Sequence, residues 1–112
     1  MTEKIVILNT CGSEAEAHKL ASLLVDTQLA ACVNVIGAGV LGGVRSFYRW
    51  QGKVESASEW LLLIKTSRDC FDRVRAAIED AHSYEVPEII ALPIVEGAPA
   101  YLSWMDENLG TN

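Results

Sequence analysis

Hydrophobic and polar positions change period several times along the chain, and each change marks an element. Lys4 to Leu8 is a short run of Ile, Val and Leu whose β-branched content predicts a buried first strand. Ser13 followed by Glu16 matches a capping box, in which the serine oxygen and the glutamate carboxylate each satisfy a backbone N–H at a helix start. Ala17, Leu20, Ala21 and Leu24 then recur at helical spacing, with Glu14, Lys19 and Asp26 off the stripe, so this helix should end near Gln28. Ala30 to Ile36 predicts a second strand running into a glycine-rich loop that holds Gly37, Gly39, Gly42 and Gly43. Val44, Ser46, Tyr48 and Trp50 alternate with Arg45, Phe47 and Arg49, the period of two of an extended strand. Gln51 and Gly52 reverse the chain and Trp60 to Lys65 returns as an apolar strand. The piece from Val44 to Thr66 therefore reads as a long hairpin with its tip, near Gly52, projecting from the body.

Ser67 opens a second helix with Phe71, Val74, Ile78 and Ala81 on one face and His82 at its C-terminal end, where a cation would complement the helix dipole. Glu88 to Val95 predicts the fourth main strand; Pro93 inside it lacks an N–H for the ladder and argues for a sheet edge or an irregularity. Pro99 and Gly110 bracket a last helix from Ala100 to Leu109. Strand, helix, strand, strand, helix, strand is the split βαβ order, in which right-handed crossovers lay both helices on one face of an antiparallel sheet. The expected fold is α+β, a ferredoxin-like βαββαβ sandwich plus C-terminal helix, with residues 1–112 forming a single domain. Many unrelated functions share that architecture, so it leaves activity open.

Composition narrows the ligand classes. With 112 residues, half of them apolar, the chain can bury one core but no large catalytic cavity, so a deep cleft would need a partner subunit. Nine Lys and Arg against fifteen Asp and Glu give a net charge of -6, which repels a phosphate backbone and excludes nucleic acid as a natural partner. No apolar run approaches the roughly 20 residues that cross a bilayer. Met1 to Asn9 also lacks the basic start and cleavage site of a signal peptide, so a cytoplasmic protein without membrane insertion is expected. Cys11, Cys32 and Cys70 lie far apart and suit free thiols in a reducing compartment.

The residues 37–42 match G-x-G-x-x-G, but the fingerprint needs a helix opening at the glycines, whereas strand alternation follows here. Thiolates and imidazoles suit copper and zinc, which makes Cys11, Cys32, Cys70, His18 and His82 the metal candidates; none is paired at C-x-x-C or H-x-x-x-H spacing. Cys11 reads as accessible, in the loop after the first strand, while Cys32 and Cys70 read as small buried apolar side chains. His18 falls away from the apolar stripe and reads as solvated. No nucleophile has a recognisable neighbouring base. Lys65 ends an apolar strand and should need a carboxylate, Glu88 being the first choice, or a wet cleft shared with the segment from His82 to Glu88.

Four stretches carry a more specific signal: residues 29–34 (Leu-Ala-Ala-Cys-Val-Asn), 48–53 (Tyr-Arg-Trp-Gln-Gly-Lys), 64–66 (Ile-Lys-Thr) and 84–94 (Tyr-Glu-Val-Pro-Glu-Ile-Ile-Ala-Leu-Pro-Ile). Their order and spacing resemble the CutA divalent-cation tolerance family, and Tyr101-Leu102-Ser103-Trp104 matches its C-terminal helix. The sequence departs from the family pattern in the longer glycine-rich loop at 37–43 and in His82-Ser83-Tyr84, where the family usually has His-Pro-Tyr. The resemblance implies a PII-like homotrimer, cytoplasmic and without catalytic activity, associated with tolerance of copper and other divalent ions. It implies Cys11, Cys32 and His82 as metal contacts. The alternative it leaves is a small-molecule sensor whose intersubunit cleft is lined by Lys65, Tyr84, Glu88 and Trp50.

Overall fold

The computed structural model describes residues 2–37 and 43–110. In chain order they form β1 (Lys4–Cys11), α1 (Glu14–Asp26), β2 (Cys32–Ile36), β3 (Val44–Trp50), β4 (Lys53–Ser67), α2 (Phe71–Ala81), β5 (Ile90–Pro93) and α3 (Pro99–Glu107). The antiparallel sheet has the order β2-β4-β1-β5, with β3 pairing to β4. That order is the ferredoxin-like arrangement expected from the alternation of elements. Pro93 lies opposite Ile5 on the edge strand β5, where its missing N–H costs no ladder bond.

The two faces of the sheet differ because side chains alternate along each strand. Ile5, Ile7, Asn9 and Cys11 of β1 stand beside Thr66, Ile64 and Leu62 of β4. All seven are buried, with Ala17, Leu20 and Leu24 of α1 and Val74 and Ile78 of α2 closing the core over them. The opposite face carries Val6, Leu8, Leu61, Leu63 and Lys65, together with Cys32 across from Lys65. α3 is fastened over one end of this face. Its Met105 is fully buried, its Asp106 meets Lys4 Nζ at 2.6 Å, and its Tyr101 ring lies 5.8 Å from Lys65 Nζ. Ile36, Ile90 and Leu92 on the remainder are about half exposed.

Several boundaries differ from the expectation, each for a physical reason. β1 continues to Cys11, because every one of its residues from Lys4 onward finds a partner on β4. β4 is one unbroken strand from Lys53 to Ser67; only its apolar part was legible, since residues 53–59 pair with β3 alone and have no core to face. β2 and β3 follow each other along β4, with Ile36 opposite Leu61 and Val44 opposite Glu59. β2 and β3 thus lie end to end along β4, and Gly43 N–H donates to Gly37 O at 2.8 Å where they meet. Gly43 has φ +95, and a Cβ there would stand 2.6 Å from Glu59 O, so only glycine fits. Residues 38–42 of the G-x-G-x-x-G pattern, Gly39 and Gly42 included, lie outside the described residues. The full hairpin gives the chain its long dimension, 43 Å against 28 and 26 Å.

α2 starts at Phe71 because Ser67 still belongs to β4 and Arg68–Cys70 form a 3-10 turn. β5 is shorter than Glu88 to Val95, because Asn9 Nδ2 takes Glu88 O at 2.9 Å in place of a backbone ladder bond. α3 stops at Glu107, with Asn108 Nδ2 donating to Trp104 O at 2.8 Å. The capping box of α1 is half formed: Ser13 Oγ accepts from Glu16 N–H at 3.2 Å. The Glu16 carboxylate reaches instead across the molecule to Ser83, accepting from its N–H at 2.8 Å and its Oγ at 3.1 Å.

Candidate functional site

The end of β1, the base of the hairpin and the segment after α2 meet at one place, and the diverted Glu16 belongs to it. Cys11 is the last residue of β1, Glu16 stands in the first turn of α1, and His82 caps the C-terminus of α2. One ligand atom of each lies within 4.8 Å of the others. His82 Nε2 is 3.7 Å from Cys11 Sγ and 2.8 Å from Thr10 O, while its Nδ1 accepts the Tyr84 N–H at 3.0 Å. Those partners fix the tautomer: Nδ1 must be the lone-pair nitrogen, so Nε2 carries the proton and donates it to the carbonyl. His82 thus latches the post-helix segment to β1 through its ring rather than merely complementing a dipole.

Cys11 is fully buried, not the accessible loop thiol expected, because β1 extends through it. Its Sγ donates to Asn9 Oδ1 at 3.4 Å. Burial, with the nearby Glu16 and Glu59 carboxylates adding to it, pushes the thiol up to about 12, so it is protonated at neutral pH. A metal entering here has to displace that proton.

Beside this trio lies a cavity of about 420 Å³ between the hairpin and the 83–88 segment. Tyr48, Trp50, Glu59, Tyr84, Glu85 and Glu88 line it. Tyr84 Oη donates to Glu59 Oε2 at 2.6 Å, and burial together with that bond raises the phenol well above its ordinary range. The ring fits because residue 12 is glycine: a Cβ there would stand 3.1 Å from Tyr84 Oη. The His82 and Tyr84 rings meet with centroids 4.7 Å apart and planes tilted by 55°, so the trio and the cavity are neighbours.

Tyr84, Glu88 and Trp50 come together in this cavity within one chain, and Lys65 does not line it. Lys65 is opposite Val6, four positions along β1 from Thr10, or about 13 Å. It lies over Tyr101 instead of pairing with Glu88, whose side chain is exposed. Cys32 is also apart from Cys11. It is opposite Lys65, five positions along β4 from the Trp60 that faces Cys11 (about 16 Å), and on the other side of the sheet. Cys32 is partly exposed rather than buried, because β2 is an edge strand, and its Sγ is 3.9 Å from Asn34 Oδ1. Cys70 is buried in the core and His18 is exposed on α1; all three cysteines are free.

Sequence reasoning missed Glu16 and Glu59 as site residues. Glu16 reads as part of the helix-start motif, and Glu59 is one of two acids in a polar stretch, set apart only by its bond to Tyr84, 25 residues further on. Asn9, the polar residue directly after the apolar run, lies inside β1 and is fully buried, a placement the run itself does not announce.

Residues 5–108 match the model of the CutA1 divalent ion tolerance protein family. The chain is 46% identical over 105 residues to the divalent-cation tolerance protein CutA of Thermus thermophilus, covering 94% of this chain and 97% of that protein. It is 42% identical over 101 residues to the chloroplastic protein CutA of Arabidopsis thaliana, covering 90% of this chain and 53% of that longer protein. The solved structure of the Thermus thermophilus divalent cation tolerance protein superposes with a TM-score of 0.89 at 45% identity, covering 96% of this chain and 99% of that one.

Proposed function

Since the chain belongs to the CutA1 divalent ion tolerance protein family, we propose that it is a metal-responsive protein that binds copper or a chemically similar divalent ion without catalytic turnover. The observation that carries this reading is the approach of Cys11 Sγ, a His82 ring nitrogen and a Glu16 oxygen to within 4.8 Å of one another. Sulfur, imidazole and carboxylate form a borderline donor set that suits copper and zinc better than magnesium or calcium. Binding through His82 Nε2 requires that nitrogen to lose its proton and its bond to Thr10 O. The proton then moves to Nδ1, which faces the Tyr84 N–H, so occupancy of the trio displaces the 83–84 backbone. That coupling supplies a way for an ion to be read out as a change of shape. Cys32 is too distant to complete the same site within one protomer and is no part of this donor set.

The working assembly in this reading is a homotrimer in the cytoplasm. The half-exposed Ile36, Ile90 and Leu92 on the open sheet face, and the well-exposed Phe47 and Val54 on the hairpin, support burial between copies. Native mass spectrometry should give three chains; a monomer at micromolar concentration would refute the assembly. Copper(I) and zinc(II) titrations under reducing conditions test the site. Cys11→Ser and His82→Ala should each weaken binding at least about tenfold, and Cys32→Ser should not. Parent-like affinity in the Cys11→Ser, His82→Ala double variant would refute the assignment.

A further inference from the structure

The cavity beside the trio has chemistry of its own. On the hairpin, register pairs Tyr48 with Glu55 and Trp50 with Lys53, so Tyr48, Trp50, Lys53, Glu55 and Glu59 share one face, of which Tyr48, Trp50 and Glu59 line the cavity while Lys53 and Glu55 lie outside its lining. Arg45 and Arg49 alternate onto the other face, where Arg45 donates to Ser56 and Ser58. The two arginines are thereby kept away from a cavity whose own charged residues are Glu59, Glu85 and Glu88. Glu59 is 5% exposed, its carboxylate accepts from the neutral Tyr84 hydroxyl, and no Lys or Arg among the described residues lies within ion-pair distance of it. A carboxylate taken out of water without a counter-charge is costly, and a bound cation removes that cost.

We propose that this cavity binds a small organic cation bearing an alkylammonium group, seated against the aromatic faces of Tyr48, Trp50 and Tyr84 with its charge on Glu59. A volume of about 420 Å³ is that of a small-molecule site and far exceeds a bare ion. The rings attract a cation through their negative faces and cover its alkyl part. Glu88 and Glu85 at the rim add attraction and steer approach. The same charges exclude an anionic effector, and Lys65, the cation that would have favoured one, is outside the cavity.

The test is calorimetric titration of the assembled protein at low ionic strength with n-butylammonium, using tetramethylammonium, magnesium and n-butyrate as comparisons. Saturable n-butylammonium binding is expected, with tetramethylammonium weaker for want of N–H donors to Glu59, and none for butyrate. Glu59→Gln keeps an acceptor for Tyr84 and should fold, yet lose roughly tenfold or more in amine affinity. Trp50→Ala alters an exposed side chain and should lose about threefold to tenfold. Cys11→Ser should leave amine binding intact, which separates this site from the metal trio. Absence of saturable binding at millimolar n-butylammonium, as when a neighbouring copy's own cation fills the cavity, overturns the proposal. So does magnesium displacing the amine at equal concentration, or Glu59→Gln binding like the parent.

Discussion

Substituting Cys11 by serine should change how stability depends on pH, and the structure sets the size of the effect. The thiol moves from an ordinary value of 9.0 to about 12 in the fold. Its Sγ is fully buried, two carboxylates stand nearby, and the thiol donates to Asn9 Oδ1, an acceptor that would repel a thiolate, while the His82 Nε2–H at 3.7 Å is directed to Thr10 O. Asn9 cannot readily turn its amide around, since Nδ2 is donating to Glu88 O. Below pH 9 both folded and unfolded chains hold the proton, so the stability is fully present. Between pH 9 and about 12 the unfolded chain ionises first, and stability is lost by up to about 4 kcal/mol. Tyr84, also raised, adds a loss in the same direction starting near 10, which is why the comparison with a variant is needed. Serine does not titrate, so the parent's advantage or deficit against Cys11→Ser should be constant from pH 7 to about 8.5. It should then move against the parent by roughly 2 kcal/mol at about pH 10.5. Urea unfolding at fixed protein concentration, in a Cys32→Ser, Cys70→Ser background, measures this directly. Thiolate ultraviolet absorbance appearing with a midpoint near 9 in the folded protein, or identical pH profiles for parent and variant, would refute the reasoning.

Four further outcomes follow from other contacts in the fold. Gly43→Ala places a Cβ 2.6 Å from Glu59 O at φ +95 and should cost about 2 kcal/mol or more, seen as a melting temperature lower by roughly 8 °C; an unchanged value would show that the strand interruption can relax. Tyr84→Phe removes the hydroxyl that donates to the nearly buried Glu59 and should cost about 1–3 kcal/mol in chemical denaturation, whereas Glu85→Gln at the rim should cost little. Lys65→Met should change stability by less than about 1 kcal/mol, since it loses only the contact with Tyr101. Lys4→Met should loosen α3 by removing the ion pair that ties Asp106 to β1, observable as faster amide exchange in residues 99–107 with parent-like exchange in α2.

The sequence by itself determined the order and type of the elements and most of the core. Periodicity at Ala17, Leu20 and Leu24, at Val74 and Ile78, and at Ile5 and Ile7 reports which face must leave water, and those residues are the buried ones. Pro93 placed its strand at an edge for a reason that lives in one residue, its missing N–H. Of the candidate site, His82, Cys11, Tyr84, Trp50 and Glu88 were legible as chemistry, but not their grouping. Lys65 and Glu88 were matched by charge, yet register along β1 sets them too far apart; Cys11 and Cys32 were matched by softness, yet strand parity puts them on opposite faces. Glu16 reads as a local cap and acts at a distance on Ser83, and Glu59 is set apart only by its bond to Tyr84. Local propensity and period depend on neighbours within a few positions, so the chain displays them openly. Which polar groups converge depends on register, face and crossover, and those are fixed only when the whole sheet pairs at once.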